Sequence, residues 1–276
     1  MDSRRMCPHC RAFITAKDRV CPYCNESVGS RAIDRRNPAP ILGGLIPHAG
    51  FTTVIILLIN FGLYIATTVA SMKSGNGSLM DIDMRTLFDF GAKYPPAIAA
   101  GQWWRLVTAG FLHGGILHIL MNSWVLFDLG AAVEEIYGTS RMLVIYFVSS
   151  VCGFYLSNIW SSSLSVGASA AIMGLVGAMI ALGMRHRNPM GDHIRGTYIR
   201  YVIYILVIGL LPGLHVDNAA HIGGLAAGFA IAYIAGQPRL EGSLTEKLWR
   251  AASWICILLT VLSFLKMYLW FTTTAA

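Results

Sequence analysis

Ser169 and His221 could supply a nucleophile and its base from the apolar part of the chain. A serine hydroxyl is a weak nucleophile until a neighbouring base takes its proton, and a neutral imidazole suits that task near pH 7. Ser169 opens an apolar segment after the stretch Ser161 to Gly167, which is not helical in character. Each residue also has a structural interpretation, because a serine here can cap a helix and a lone histidine can be buried for packing. The pair is a hypothesis that needs support from other residues.

A second group of polar side chains lies in another apolar segment. His118 and Asn122 are four residues apart, so a helix places them on one face, whereas His113 lies off that face. The two side chains could act together. Either one could instead link helices through hydrogen bonds, which is the common role of such residues in membranes.

Small residues predict that the segments of Ser169 and His221 lie side by side. They repeat every four positions in both segments, as Ala170, Gly174 and Ala178 in one and Ala220, Gly224 and Gly228 in the other. Small side chains at this spacing let two helices approach backbone to backbone. Close approach near the same ends of the helices would bring His221 within reach of Ser169.

Four cysteines near the start predict a metal site. They form two CxxC pairs with ten residues between them, Cys7 with Cys10 and Cys21 with Cys24. Zinc favours four thiolates in a tetrahedron, and a segment too small for its own core can fold on the metal. We therefore predict a structural zinc ribbon over residues 1–25. A redox role for the CxxC pairs, or His9 in place of one cysteine, are the alternatives.

The composition is that of a membrane protein. The chain has 276 residues, of which 55% are hydrophobic and only 13% charged, whereas soluble domains carry charge on about a quarter of their residues. The net charge of +7 is concentrated near the start, where it indicates topology rather than nucleic-acid binding. Cys152 and Cys256 lie alone in apolar segments, which disfavours a disulfide framework.

Seven apolar segments follow a basic linker at residues 26–50, and most approach the roughly 20 residues that cross a bilayer. They are Phe51–Met72, Phe111–Val133, Met142–Trp160, Ser169–Met184, Tyr198–Leu211, Val216–Ala235 and Ala251–Phe271. We expect no cleaved signal peptide, because the N-terminus is polar and rich in cysteine, and we expect the first segment to be an uncleaved anchor.

The distribution of basic residues predicts the orientation. With the N-terminus in the cytoplasm, Arg141 and the basic groups at residues 185–200 and 239–250 fall in cytoplasmic loops, and the C-terminus lies outside. Lys93 and Arg105 then belong to a loop on the outer side. The stretch Gln102 to Arg105 combines tryptophan and arginine, which suits a membrane interface better than a direct catalytic role.

The ordered set of motifs resembles the rhomboid family of intramembrane proteases over nearly the whole chain from the first to the sixth segment. The motifs are Trp104-Arg105, the HxxxxHxxxN pattern of His113, His118 and Asn122, Gly167-x-Ser169, and His221-x-Gly223-Gly224 with Gly228.

The resemblance implies an all-α core of six helices, residues 51–236, with a catalytic dyad of Ser169 and His221. It also implies an oxyanion hole from His118, Asn122 and the backbone N–H of Ser169, and no cofactor for catalysis. Ala170 and Met173 depart from the family pattern of glycine and an aromatic residue, which leaves open what packs against His221. The ribbon at residues 1–25 is an addition to that core. The seventh segment, which lies within residues 237–276, is a second addition.

The expected function is hydrolysis of a peptide bond in or near the membrane span of a single-span protein. The chain would be a multi-pass protein of the cell membrane, with lipid and membrane-protein substrates as partners, a cytoplasmic partner for the ribbon and no nucleic acid. The alternative is a catalytically silent rhomboid-like protein that binds membrane clients. A channel or transporter is disfavoured because no inverted internal repeat is evident.

Overall fold

The computed structural model describes residues 4–7, 9–15, 18–26, 28, 50–75, 77–213, 216–238 and 243–274. These residues form a small N-terminal ribbon and a helical body. The predicted basic linker at residues 26–50 lies mostly outside the described residues.

The ribbon is built on a two-stranded antiparallel sheet. Strand β1 (Arg4–Met6) pairs with β2 (Phe13–Thr15), so that Met6 lies opposite Phe13. Cys7, Ile14, Cys21 and Val28 are buried together and form its core. The N–H of Val28 donates to the carbonyl of Arg19 at 2.8 Å, so the fold includes a residue beyond the predicted boundary at residue 25.

The helical body has eleven α-helices in its described residues. They are α1 (Phe51–Lys73), α2 (Met84–Asp89), α3 (Pro95–Ala99), α4 (Arg105–Thr108), α5 (Ile116–Val125), α6 (Ala131–Tyr137), α7 (Thr139–Trp160), α8 (Ser169–Arg185), α9 (Pro189–Ile208), α10 (Asn218–Ala235) and α11 (Leu244–Thr274). A π-helical turn, Leu126–Gly130, joins α5 to α6 without a break. Helices α2 to α4 belong to the connection between α1 and α5, here called the first loop (residues 74–115).

Five helical runs of the described residues are long and apolar enough to cross a membrane: α1, the continuous run Ile116–Tyr137, α7, α10 and α11. Helix α8 is apolar but has only 17 residues. The predicted all-α membrane fold with a small preceding ribbon is therefore confirmed.

The fifth predicted segment differs from the observed helix. We expected a span at Tyr198–Leu211, whereas α9 begins at Pro189 and ends at Ile208. Asn188 caps α9 by accepting from the N–H of Gly191 at 2.8 Å, and Asp192 pairs with Arg195 at 3.2 Å on its first turns. A good cap and an i,i+3 ion pair extend the helix through a charged stretch. Among the described helices, α9 is accordingly not one of those apolar enough to be a candidate span.

Helices α7, α8 and α10 pack closely against one another, and glycine permits this approach. A Cβ on Gly224 of α10 would lie 2.0 Å from the carbonyl oxygen of Ala170 in α8, and one on Gly228 would lie 2.1 Å from the carbonyl oxygen of Gly174. Gly153 of α7 fits against the same two helices. The predicted backbone-to-backbone approach of the two small-residue stripes is confirmed.

Candidate active site

Ser169 is the first residue of α8, at the end of a non-helical segment of residues 161–168. Gly167 has φ +133, a conformation that L side chains rarely adopt, and its N–H donates to the carbonyl of Ala109 at 3.0 Å. The segment therefore turns sharply into the helix just before Ser169. The first N–H groups of a helix have no intrahelical acceptor, so the Ser169 N–H can donate to a bound oxyanion.

His221 lies in the first turn of α10 and is 5% exposed. Asp217 caps this helix: its carboxylate accepts from the N–H of Ala220 at 3.0 Å and from the Ser157 hydroxyl. Asp217 is therefore the N-cap residue of α10. Within the described chain, Nδ1 of His221 is buried without a hydrogen-bond partner.

The packing of α8 on α10 brings Ser169 and His221 to the same end of the two helices. The contact of Gly224 with Ala170 is followed, four residues later in both helices, by that of Gly228 with Gly174. The helices therefore run parallel. Ser169 directly precedes Ala170, and His221 lies three residues, about one turn, before Gly224.

His118 faces Ser169 from α5. The N–H of Gly114 donates to Nδ1 of His118 at 3.4 Å, which assigns the proton of a neutral ring to Nε2. A Cβ on Gly167 would lie 2.7 Å from His118 Nε2 and 3.6 Å from the Ser169 hydroxyl oxygen. The Nε2–H donor and the candidate nucleophile therefore both lie on the side of Gly167 to which a Cβ would point. The His118 and His221 rings are also close enough to interact electrostatically.

Asn122 lies one turn of α5 beyond His118 and is 8% exposed. Its Nδ2 is buried and has no hydrogen-bond partner among the described residues. Buried amide donors in folded proteins are nearly always paired, so this unpaired donor is available to a bound group. Because Asn122 and His118 are one turn apart in α5, they lie on the same face of that helix.

His113 supports the His118 ring instead of joining the donor set. It is fully buried, and the two rings meet edge to face with their centroids 5.1 Å apart. Burial, with a smaller contribution from His118, lowers the pKa of His113 to about 3, so the ring is uncharged at neutral pH.

Lys93 is a residue of the site region that sequence reasoning assigned only to an outer loop. It is fully buried, and its Nζ donates to the carbonyls of Ser161 at 3.1 Å and Ser163 at 2.8 Å. Its backbone exchanges two hydrogen bonds of 3.0 Å with Ser165. Burial lowers the pKa of Lys93, and the Asp217 carboxylate acts in the opposite direction. Lys93 therefore holds the segment that leads to Ser169, and no local pattern around it predicts this burial.

The stretch Gln102 to Arg105 was expected to lie at the membrane interface. The burial of Trp104 and Arg105 shows that this expectation is wrong for these two residues. Arg105 is fully buried, and its guanidinium donates to the side chain of Gln102 at 2.7 Å and to the carbonyls of Phe88 at 2.6 Å and Ala92 at 3.0 Å. Trp104 is 8% exposed, whereas Trp103 is 46% exposed as an interfacial residue would be. Burial lowers the pKa of Arg105 to about 10. The arginine organises the first loop from inside because its five donors can serve several carbonyls at once.

The four ribbon cysteines form one cluster. The Sγ atoms of Cys7 and Cys24 are 3.7 Å apart, those of Cys10 and Cys21 are 3.6 Å apart, and all four lie within 4.8 Å of one another. Tetrahedral zinc with Zn–S bonds of about 2.3 Å needs sulfur separations of about 3.8 Å. The donor set therefore fits a tetrathiolate metal site, and His9 is not part of the cluster.

The two CxxC turns of the ribbon share one geometry. After each pair the chain takes a positive φ, at Arg11 (62) and Asn25 (55). The N–H of Arg11 donates to the carbonyl of Cys7 at 3.0 Å, and the N–H of Asn25 donates to that of Cys21 at 2.9 Å. The repeated turn presents both pairs of sulfurs to one point.

The family match and the similar proteins all point to the same protein family. The Rhomboid domain family matches residues 100–238. Rhomboid protease GluP of Bacillus subtilis (strain 168) is 39% identical over 175 residues, which are 62% of this chain and 34% of that protein. Rhomboid-like protease 1 of Toxoplasma gondii is 32% identical over 263 residues, which are 88% of this chain and 87% of that protein. RHOMBOID-like protein 6, mitochondrial, of Arabidopsis thaliana is 37% identical over 153 residues, which are 54% and 49% of the two chains.

The chain thus spans about a third of the Bacillus protein and most of the Toxoplasma protein. The Bacillus and Toxoplasma relatives are named as proteases, and the candidate spans of this chain support a multi-pass membrane protein. The chain belongs to the rhomboid family.

Proposed function

We propose that this protein is an intramembrane serine endopeptidase in which Ser169 is the nucleophile and His221 its general base. The observation that carries the proposal is the parallel packing of α10 on α8 through Gly224 and Ala170, which sets both residues at the same end of their helices. Apo structures often hold such a pair without a tight hydrogen bond, which forms in the substrate complex.

The proposed reaction begins when the Ser169 hydroxyl oxygen attacks the scissile carbonyl carbon and its proton passes to His221. The tetrahedral intermediate collapses as the C–N bond breaks, and His221 gives the proton to the leaving amine. His221 then deprotonates a water molecule, which attacks the acyl-enzyme carbonyl. As the ester C–O bond to Ser169 breaks, His221 returns the proton to the serine oxygen. In this proposal, the Asn122 amide, the His118 Nε2–H and the Ser169 N–H donate to the carbonyl oxygen and stabilise its negative charge.

The proposed substrate is a single-span membrane protein whose helix is locally unstable near the outer face. A regular helix hides its carbonyls in hydrogen bonds, so a carbonyl can meet Ser169 only where the helix opens. Ser169 begins a helix that is short for a membrane, behind a polar non-helical segment, and such backbone is tolerated at membrane depth where it lines a water-filled cavity. Water for the second step could reach the site by that route.

The ribbon is proposed to bind one structural zinc ion through Cys7, Cys10, Cys21 and Cys24 and to dock a partner on the cytoplasmic side. Its thiolates would hold the metal, and the metal would hold together a fold whose core is very small. In this assignment, residues 1–25 are the ribbon, 26–50 a basic linker, 51–236 the protease core and 237–276 a cytoplasmic loop with the seventh helix. The N-terminus would lie in the cytoplasm and the C-terminus outside the cell membrane.

A serine-directed fluorophosphonate tests the proposed function, because it reacts only with an activated hydroxyl. We expect the wild-type protein to be labelled and to cleave a model single-span substrate, and Ser169→Ala to do neither. Ser162→Ala is the matched control, since Ser162 is exposed in the segment before Ser169. A folded wild-type protein that neither reacts with the probe nor cleaves would contradict the proposal and favour the catalytically silent alternative.

A further inference from the structure

Helix α11 lies outside the proposed six-helix core and supplies no residue of the candidate active site. One of its faces is exposed and carries large apolar side chains, among them Leu258, Leu262 and Leu265. The other carries small polar residues, Ser253 and Ser263, that are buried against the body. Phe264, between these faces, meets Phe111 of the first loop edge to face at 5.5 Å. The helix is therefore packed lengthwise on the core.

The first turn of α11 is tied to α7 by a buried ion pair. The Arg141 guanidinium donates to both carboxylate oxygens of Glu246 at 2.7 Å, and the two side chains are 2% and 7% exposed. The Trp249 ring lies 5.3 Å from the same guanidinium carbon. A bidentate arginine–carboxylate pair fixes both the distance between the two side chains and their relative orientation. This end of α11 therefore has a defined position on α7.

The last turns of α11 contact the first loop at Arg105. The Arg105 guanidinium carbon lies 5.0 Å from the Trp270 ring and 4.1 Å from the Phe88 ring, and these two rings meet edge to face at 5.6 Å. Phe271 lies against Phe90 at 5.9 Å. Trp270 therefore completes the aromatic enclosure of the arginine that organises this loop.

Arg105 connects this enclosure to the segment before Ser169. Its guanidinium donates to the Ala92 carbonyl at 3.0 Å, and the next residue is Lys93. Lys93 in turn holds Ser161 and Ser163 through its ammonium group and Ser165 through its backbone. Direct contacts thus run without a gap from α11 to a point four residues before Ser169.

We propose that α11 positions the candidate nucleophile, with Trp270 as a positioning residue that acts through Arg105 and Lys93. This inference rests on the proposed function and adds a role for the seventh helix. With its other end fixed by the Arg141–Glu246 pair, α11 holds the first loop in one place, and the loop holds the segment that turns into Ser169. A loosened loop would leave Ser169 attached to α8 but less often aligned with His221.

The test compares Trp270→Ala with Trp254→Ala in the full chain. Both changes remove a tryptophan from α11, but Trp254 is 64% exposed. The rate of fluorophosphonate labelling and kcat for a single-span substrate are measured per folded molecule, well below the melting temperature. We expect Trp270→Ala to lower both by about tenfold, as for a desolvated cation–π contact. Trp254→Ala should leave both within about twofold, and Trp270→Phe should restore most of the rate because it keeps an aromatic face.

Three results would contradict the proposals, and each has a different meaning. If Trp270→Ala lowers only the melting temperature while folded molecules react at the wild-type rate, α11 only stabilises the fold and the proposal fails. It fails also if Trp254→Ala lowers the rate as much as Trp270→Ala. A wild-type protein that is not labelled at all would contradict the proposed function itself, so the two failures are distinguishable.

A double-mutant cycle tests the route through Lys93. If Trp270 acts through Lys93, combining Trp270→Ala with Lys93→Met should lower the labelling rate by less than the product of the two single losses. Independent, multiplicative losses would remove Lys93 from the route. Lys73→Met is the control, because Lys73 is an exposed lysine at the end of α1, directly before the same loop.

Discussion

Gly224 lies against the backbone of Ala170, and a Cβ at position 224 would come within 2.0 Å of the Ala170 carbonyl oxygen. No real Cβ contact is that short, so the two helices must separate if any side chain is introduced there. The contact is one turn from His221 and one residue from Ser169. The alignment of the candidate dyad therefore depends on a residue that has no side chain.

Gly224→Ala should consequently lower both stability and proteolysis. Overpacking a tight contact costs about 1–3 kcal/mol, and helix separation would move His221 away from Ser169. Gly62→Ala is the matched control, because Gly62 lies within α1 and a Cβ there would meet nothing within 4 Å. Thermal unfolding in detergent and the cleavage rate check both variants. Wild-type values for Gly224→Ala would show that the helices tolerate the extra methyl group.

Ser169→Ala and His221→Ala should each abolish cleavage of a model transmembrane substrate while the protein stays folded. Because a nucleophile and its base act as a unit, the double variant should be no worse than either single one. His193→Ala serves as the control, since His193 is exposed on α9. Sustained proteolysis by Ser169→Ala would falsify the assignment of the nucleophile.

Asn122→Ala should lower kcat by between about tenfold and 10²-fold with little change in KM. A hydrogen bond to the oxyanion strengthens only as charge develops, and one such donor is worth up to about 10²–10³ in rate when no other donor shares the charge. If Asn122 instead links helices, the variant should lose stability while each folded molecule turns over normally. Measuring kcat, KM and the melting temperature on one sample separates these results.

Cys7→Ser combined with Cys21→Ser should abolish zinc binding, which metal analysis of the purified protein measures directly. We expect about one zinc ion per wild-type chain and none in the variant, because each CxxC turn loses one of its two thiolates. Cys152→Ser is the control, as Cys152 lies in α7, outside the cluster. Zinc that remains at one ion per chain in the double variant would place the metal elsewhere.

The sequence by itself determined the features that depend on local spacing. Continuous apolar runs predict membrane helices, and the bounds of α1 and α8 differ from the prediction by one residue at most. The paired CxxC turns predict a four-cysteine cluster, and the small-residue stripes predict the approach of α8 and α10. The motif order also predicts the rhomboid family, which the comparisons confirm. The roles of Ser169, His221, His118 and Asn122 follow from the same motifs and stay predictions.

Only the tertiary structure decided which charged residues are buried and what holds them. Lys93 and Arg105 belong to a loop whose composition suggests an aqueous or interfacial position, yet both are fully buried. Most of their hydrogen-bond acceptors are backbone carbonyls. Because every residue has a backbone carbonyl, no sequence pattern shows which ones accept these hydrogen bonds. Lys93 finds them about 70 residues away, in a segment brought close by the packing of other helices. The Arg141–Glu246 pair likewise joins residues 105 positions apart. The packing of whole helices determines which residues become partners of a buried charge. Local periodicity in the sequence carries no information about that packing.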